Sequence, residues 1–319
     1  MSSVFDALTD LLDDLAGLAY GHAVAPLLYA TGLMAHEDAA LEWLRFVAFG
    51  ALGVVLVYAI CRPLEAAAPV EPRDDPAAVR TDVAYTLLSR LGLLPLLAFA
   101  LLHGLQAPLE GFLADRGWVA PSLETLIPAL RDAPFLAFLL YVAVLDLGEY
   151  WRHRLQHALP WWWALHSVHH AQRRMTFWTD DRNHVLDDAL GALWIGGLAL
   201  LIGVPPGQFP LVVLVLRLAE SLSHANARIA FGRLGERLLV SPRFHRVHHG
   251  VLSVGRRGVN YAVLLPVWDV LFRTADFDRT RYPPTGDPDG PEALASGGWW
   301  AQQVVGLRRM RDALLAKRD

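Results

Sequence analysis

No Asp, Glu, Lys or Arg interrupts the chain from Phe46 to Cys61, from Leu91 to Leu105, or from Ala189 to Leu216, and a further run, Ala133–Leu147, is broken only by Asp146. A helix needs about 20 predominantly apolar residues to cross a bilayer, or about 17 at the short end. With Trp43 and Leu44 added, the first run is long enough, and Arg62 and Pro63 are expected to end it. Arg90 stands near the start of the second run, placed to snorkel to the interface. The long run after Ala189 contains GVPPGQFP from Gly203 to Pro210. Prolines in this setting break a helix, so the run reads as a hairpin of two short spans, the second reaching about His224. Apolar residues make up 54% of the chain and charged residues 19%, against roughly half and a quarter in a soluble domain. The expected fold is therefore all-α: a polytopic membrane protein with about four to five transmembrane helices.

Charge orients these spans. Lys317 is the only lysine; the positive charge is arginine, at Arg152, Arg154, Arg173, Arg174 and Arg182, and again in a set from Arg228 to Arg257. The positive-inside rule places both segments in the cytoplasm, and the hairpin supplies the even number of crossings between them. Residues 1–42 contain neither Lys nor Arg. The positively charged start of a secretory signal is not expected there, and one or two helices at the membrane surface are. The net charge of −4 gives no reason to expect a nucleic-acid partner. From Trp299, WWAQQVVGLRRMRDALLAKR mixes apolar and basic residues as a helix suited to a membrane surface or to packing on the protein itself.

The chemistry sits just past the third apolar run. EYWRHRLQHALPWWWALHSVHH, from Glu149 to His170, holds HxxxH (His153, His157) and HxxHH (His166, His169, His170); a second HxxHH lies at His245, His248 and His249. On a helix, residues three and four apart share a face, so each box aims its imidazoles at a common point. One box is too small to close a metal site. Together they offer eight ligands, enough for two metals. His184, in DDRNHVLDD, and His224, at the end of the last span, fit the pattern and bring the candidate ligands to ten, whereas His22, His36 and His103 are isolated. The single cysteine, Cys61, excludes an intrachain disulfide and a Cys-ligated iron–sulfur cluster. Imidazole alone does not choose among zinc, copper, iron and nickel.

A histidine that ligates metal needs an acceptor for its other ring nitrogen. Asp146, Asp180, Asp181, Asp187, Asp188, Glu220 and Asp269 are within reach in sequence. Asp146, two turns before His153, and Glu220, four residues before His224, are placed best. Trp151, Trp161, Trp162, Trp163, Phe177, Trp178 and Phe244 crowd the boxes and suit an apolar substrate tunnel or a membrane interface.

The chain resembles the fatty acid hydroxylase/sterol desaturase superfamily of histidine-box membrane oxygenases. The resemblance rests on DLGEYWRHRLQH from Asp146, LHSVHH from Leu165, RNH ending at His184, HAN from His224, SPRFHRVHHG from Ser241 and NYAVLLPVWDVLFRT from Asn260. It covers roughly Arg80 to Ala275, with Ala262 standing where relatives commonly have glycine. It implies two Fe ions held by the ten histidines, with zinc possible in a purified sample. It further implies O2 as co-substrate and a lipid substrate (fatty acyl, sterol or ether lipid) that is hydroxylated, desaturated or cleaved. No GxGxxG follows a strand and no haem or iron–sulfur ligand set is present, so electrons are expected from a separate ferredoxin, or a b-type cytochrome with its reductase, docked on the arginine-rich face. Three parts follow: residues 1–45 as a membrane-associated segment, 46–275 as the catalytic domain, with its metal site in a helical cap on the cytoplasmic side of the inner membrane, and 276–319 as a cytoplasmic tail. The competing function is a membrane metal-binding or transport protein, which would want ionisable residues within the spans.

Overall fold

A computed structural model of the chain describes residues 2–72, 76–92, 111–112, 115–118, 121–205, 209–251, 258–278 and 280–316. Among them the regular structure is helical, with a single isolated bridge between Gly250 and Thr285. The expected second span falls largely on 93–105, outside the described residues, as does His103.

The chain begins with α1 (Ser2–Ala19) and α2 (Ala25–Thr31), which lead into the long α3 (Glu37–Ala67). Glu37 and Asp38 occupy the first turn of α3, where acidic side chains suit the positive end of the helix dipole. The helix does not stop at Arg62 and Pro63 but continues to Ala67. Tertiary contacts override the local signal: Cys61 is buried, and buried Glu65 accepts hydrogen bonds from the Phe177 and Asn226 amides. Next comes α4 (Pro76–Arg90). Arg90 turns inward rather than snorkelling outward, because Asp180 and Asp181 lie 2.6 and 2.7 Å from its guanidinium.

Two helices then carry the first boxes. Helix α5 (Pro134–Ala158) and helix α6 (Pro160–His170) are separated only by Leu159, whose extended backbone is what a residue preceding proline favours. Pro160 opens α6, where its missing N–H is not needed. The resulting corner folds α6 back beside α5. Two helices, α7 (Val185–Leu201) and α8 (Phe209–His224), occupy the apolar run expected to fold as a hairpin, with part of the connection between them outside the described residues. Short helices α9 (Gly232–Leu238), α10 (Pro242–His248) and α11 (Val267–Leu271) follow, and α12 (Trp299–Leu315) closes the chain. Helix α12 packs along α6 and buries Gln302, Gln303 and Gly306, so it lies on the protein, with Trp300, Leu307, Leu314 and Leu315 facing outward.

Two segments, Met34–Ala67 and Pro134–Ala158, are helical, long and apolar enough to cross a membrane. Only 22% and 33% of their most apolar windows are buried inside the molecule, so these surfaces face outward, unlike those of a helix in a soluble core. The apolar core that ties α5 to the hairpin contains Tyr141, Val142, Leu145, Ala199, Val212 and Leu216. It holds the His-bearing ends of α5 and α8 next to each other.

Candidate metal centre

Nine of the ten predicted histidines meet. His153 and His157 from α5, His166 and His170 from α6, and His248 from α10 form one group. His169 from α6, His224 from α8, His245 from α10 and His249 directly after that helix form the second. Within each group the ligand atoms lie within 4.8 Å of one another. The groups are contiguous, since α6 and α10 each serve both: the rings of His170 and His249 stack 4.3 Å apart. Ser241 caps α10 by accepting from the Phe244 amide at 3.1 Å, and Pro242 occupies its first turn, so a helix of only seven residues holds the second HxxHH box in place.

The distances suit metal. Two imidazole nitrogens bound at about 2.0–2.1 Å to one ion stand roughly 2.9–3.4 Å apart for angles between octahedral and tetrahedral. Nε2 of His224 lies 3.1 Å from Nε2 of His169 and 3.0 Å from that of His245, and His249 Nε2 lies 3.1 Å from His245 Nε2. In the other group His248 Nε2 is 3.1 Å from His170 Nε2.

Hydrogen bonds at the far side of the rings set the tautomers. Nδ1 of His153 donates to the Tyr261 carbonyl at 2.8 Å, that of His248 to the Val259 carbonyl at 2.7 Å, and that of His224 to the Glu220 carbonyl at 2.7 Å. His166 Nδ1 meets Asp187 Oδ2 at 3.2 Å. A proton fixed on Nδ1 leaves Nε2 as a lone pair aimed into the cluster, as a metal ligand requires. Nε2 of His153, His157 and His166 is buried and has no partner among the described residues. A buried polar atom without a partner costs about 1–3 kcal/mol, and a bound cation removes that cost. Burial also keeps the rings neutral. It pushes His166, His169, His170, His245 and His249 below the usual imidazole range, aided by neighbouring histidines in the last four and by Arg152 at His166, and pushes His248 down to about 3. Asp187 opposes the shift at His166. The donor set therefore fits two divalent ions.

His184 stands apart from both groups. It caps α7, its Nδ1 accepting from the Leu186 amide at 3.1 Å while Nε2 donates to the Gln303 carbonyl of α12 at 2.9 Å. Both ring nitrogens are occupied, so neither points into the clusters. The two favoured orienting carboxylates also act differently from the expectation. Asp146 accepts from the Leu264 and Leu265 amides and Trp268 Nε1, each at 2.9 Å, and anchors the segment that carries Tyr261. Glu220 orients His224 through its backbone carbonyl; its side chain faces Arg217 at 3.5 Å. The carboxylate that does reach a box histidine is Asp187, which also binds Gln156 and Trp162. Asp180 Oδ1 lies 3.9 Å from His224 Nδ1, and Asp269 holds the Tyr261 and Ala262 amides.

Of the aromatic residues, Trp163 packs on the centre, its ring 4.9 Å from His157 and 5.2 Å from His170. Trp151 stacks edge-on to Phe272, Phe177 and Trp178 pack on Tyr58, and Phe244 packs on Phe277. Tyr261 was not anticipated. Its ring lies 5.7, 5.3 and 5.7 Å from His153, His157 and His248. Asn260 before it adopts φ 59°, a left-handed conformation that Asn tolerates, and NY at 260–261 was the available signal.

A helical protein with two adjoining histidine clusters, the first of them partly carried on a helix long and apolar enough to span a membrane, is the class that fold and site define. Residues 138–274 match the fatty acid hydroxylase family. Similar curated proteins include alkylglycerol monooxygenase of Danio rerio, 34% identical over 145 residues, and that of Homo sapiens, 30% identical over 152. These alignments cover 45% and 47% of this chain but only 31% and 33% of those proteins, so the chain spans about a third of their length. Ornithine lipid hydroxylase OlsE of Rhizobium tropici is 28% identical over 242 residues, 75% of this chain and 68% of that protein. No solved structure matches the chain.

Proposed function

We propose that this chain is a membrane-embedded, O2-dependent di-iron oxidoreductase that hydroxylates an unactivated C–H bond of a lipid. The observation that carries the reading is the pair of buried histidine clusters, each with lone pairs converging at metal–ligand spacing. The match to the family and the names of the relatives, monooxygenases and hydroxylases of alkylglycerols and ornithine lipids, supply the reaction class.

His153, His157, His166, His170 and His248 hold one metal, and His169, His224, His245 and His249 the other; His184 is left out of the ligand set. Two ferrous ions bound there supply the reductive activation of O2 that breaking such a bond requires. Inserting one oxygen atom from O2 into a C–H bond consumes two electrons and two protons and releases water. The chain has no flavin, haem or nicotinamide motif, so a separate ferredoxin or b-type cytochrome delivers the electrons, docking on the arginine-bearing face. The protein's own groups do the positioning. The carbonyls of Tyr261, Val259 and Glu220, with Asp187, hold protons on Nδ1 and lock four rings. Trp163 and Tyr261 press on the first cluster and exclude water from it.

Helices α3 and α5 cross the inner membrane, with the 91–105 run and the α7–α8 hairpin giving four to five spans in all. The clusters lie in a cap at the cytoplasmic edge. Residues 46–275 form the catalytic part and 276–319 a cytoplasmic tail whose last helix braces α6. A transport role is disfavoured because the metal ligands close on themselves at one end of the helices instead of lining a path between them.

Comparative lipid mass spectrometry of cells with and without the gene tests the proposal. A lipid species gaining one oxygen is expected with the gene, and is expected to disappear in a His169→Ala variant that still inserts. Identical lipid profiles in both strains would remove the reading.

A further inference from the structure

Beside the clusters, between α5, α7 and α8, the chain places charge that the metals do not use. Six carboxylates (Glu149, Asp180, Asp181, Asp187, Asp188 and Glu220) gather with only three guanidiniums, Arg90, Arg152 and Arg217. Arg217 and Glu220 share the face of α8 that carries His224, respectively two turns and one turn before it. At 1.5 Å per residue, Arg217 stands about 10 Å along the helix from that ligand. On α7, Asp188 lies one turn before Gly191, whose Cα faces the Arg152 guanidinium. Asp187, Asp188, Arg217 and Glu220 sit on the apolar helices α7 and α8 and Glu149 and Arg152 on the end of α5, whereas Asp180 and Asp181 lie in the 3-10 turn before α7 and Arg90 ends α4. Ionisable residues on spans are costly and are retained for function.

Their mutual pairing is incomplete. Arg90 binds Asp180 and Asp181, and Arg152 binds Glu149. Asp187 is occupied by His166, Gln156 and Trp162. Two kinds of group remain. Asp181 is 2% exposed, yet its Oδ1 has no hydrogen-bond partner among the described residues and lies 3.7 Å from Arg217 Nη1. Asp188 Oδ2 is also buried without a partner among the described residues, with Arg217, Asp187, Asp181 and Arg152 as its charged neighbours. Against them, the Arg217 side chain keeps 42% of its surface free, and its contacts with Glu220 and Asp181 are long, 3.5 and 3.7 Å. A neutral alkyl chain satisfies none of these atoms. An anion satisfies Arg217 alone, and a cation the carboxylates alone.

We propose that this cluster of charges binds the headgroup of a zwitterionic lipid bearing a primary amine: the ammonium donates to Asp188 and Asp181, and the headgroup's acidic group pairs with Arg217. The assignment rests on the lipid hydroxylase reading and narrows its substrate class. Phosphatidylethanolamine and an acylated amino-acid lipid with a free amine share the required chemistry. Three N–H donors on one cation match several acceptor oxygens, which a quaternary ammonium cannot do.

The test uses the purified full chain with its metals, in detergent, and measures retained lipid by native mass spectrometry. The probes are phosphatidylethanolamine, a free-amine amino-acid lipid, phosphatidylcholine, phosphatidylglycerol and diacylglycerol. The two amine lipids are expected to be retained about tenfold better than the other three, the factor that one charge-assisted hydrogen bond supplies; the arm that binds more tightly identifies the source. Asp188→Asn and Arg217→Gln are each expected to abolish the preference while the metal content stays at the wild-type value. Equal retention of phosphatidylglycerol or diacylglycerol by the wild-type chain overturns the proposal without recourse to any variant. A loss of metal in Asp188→Asn overturns it too, by assigning the carboxylate to balancing the metals' charge. Selective retention without any oxygenated product would keep the headgroup site and remove the hydroxylase reading; oxygenated product without selectivity would do the reverse.

Discussion

Asp187→Asn separates the two clusters. The Asp187 carboxylate accepts from Gln156 Nε2 at 2.8 and 2.9 Å, from Trp162 Nε1 at 2.7 Å and from His166 Nδ1 at 3.2 Å, all while 2% exposed. An asparagine keeps one acceptor oxygen and replaces the other with a donor. If the oxygen stays with Trp162, the amide N–H2 faces His166. That ring must then present a lone pair on Nδ1 and carry its proton on Nε2, the nitrogen aimed at the metal. The opposite rotamer sets N–H against the Trp162 N–H instead and leaves a buried donor unpaired, at about 1–3 kcal/mol. Loss of an orienting partner typically weakens metal affinity by about 10–100-fold, or roughly 1.4–2.7 kcal/mol. None of His169, His224, His245 and His249 touches Asp187, so the second cluster keeps its affinity. The assay is stepwise chelation of the purified variant, followed by counting the metal left on the chain. One metal is expected to leave at a chelator concentration 10–100-fold below that needed for wild type, and the other at the wild-type concentration. Release of both at the wild-type value, or of both together at a lower one, would refute the orienting role.

Further expectations follow from the same contacts. His184→Asn keeps an N-cap for α7 but loses the bond to the Gln303 carbonyl; the chain should keep both metals and melt a few degrees lower, since one buried hydrogen bond is worth about 1 kcal/mol. Asp82→Asn strands buried Arg182, whose Nη1 lies 2.8 Å from the Asp82 carboxylate, and breaking a buried pair costs about 3–5 kcal/mol, measurable as a much earlier denaturation midpoint. Acid should destabilise the centre. Buried His166, His169, His170, His245, His248 and His249 have folded-state pKa values below the 6.5 of an unfolded chain. The unfolded state therefore binds more protons, and stability is full above about pH 6.5 and falls as pH drops towards 3; melting of metal-free protein across that window checks the sign.

The boxes were legible because helical periodicity alone places residues three and four apart on one face; the corner at Pro160 between α5 and α6 was not anticipated. The break of the long apolar run into two helices was legible for the same kind of reason: its signal is local. What escaped depends on partners far away in the chain. Pro63 reads as a stop, yet Glu65 finds the Phe177 and Asn226 amides more than a hundred residues on and keeps the helix going. Arg90 reads as a snorkelling residue until Asp180 and Asp181 arrive beside it. His184 has the right neighbours for a ligand, but Gln303 of the last helix takes its free nitrogen. The orienting acceptors are mostly backbone carbonyls, which every residue carries and no sequence pattern marks. Carboxylates at helical spacing from the boxes, Asp146 and Glu220, were therefore favoured over the one that bonds His166, Asp187, which begins a different helix.

The central claim is two metals on nine histidines. Elemental analysis of the purified chain tests it most directly, alongside His248→Ala, which touches only the five-histidine group, and His245→Ala, which touches only the four-histidine group. Two metal ions per wild-type chain and one in each variant are predicted. One ion or none on the wild-type chain, or two on either variant, would contradict the account.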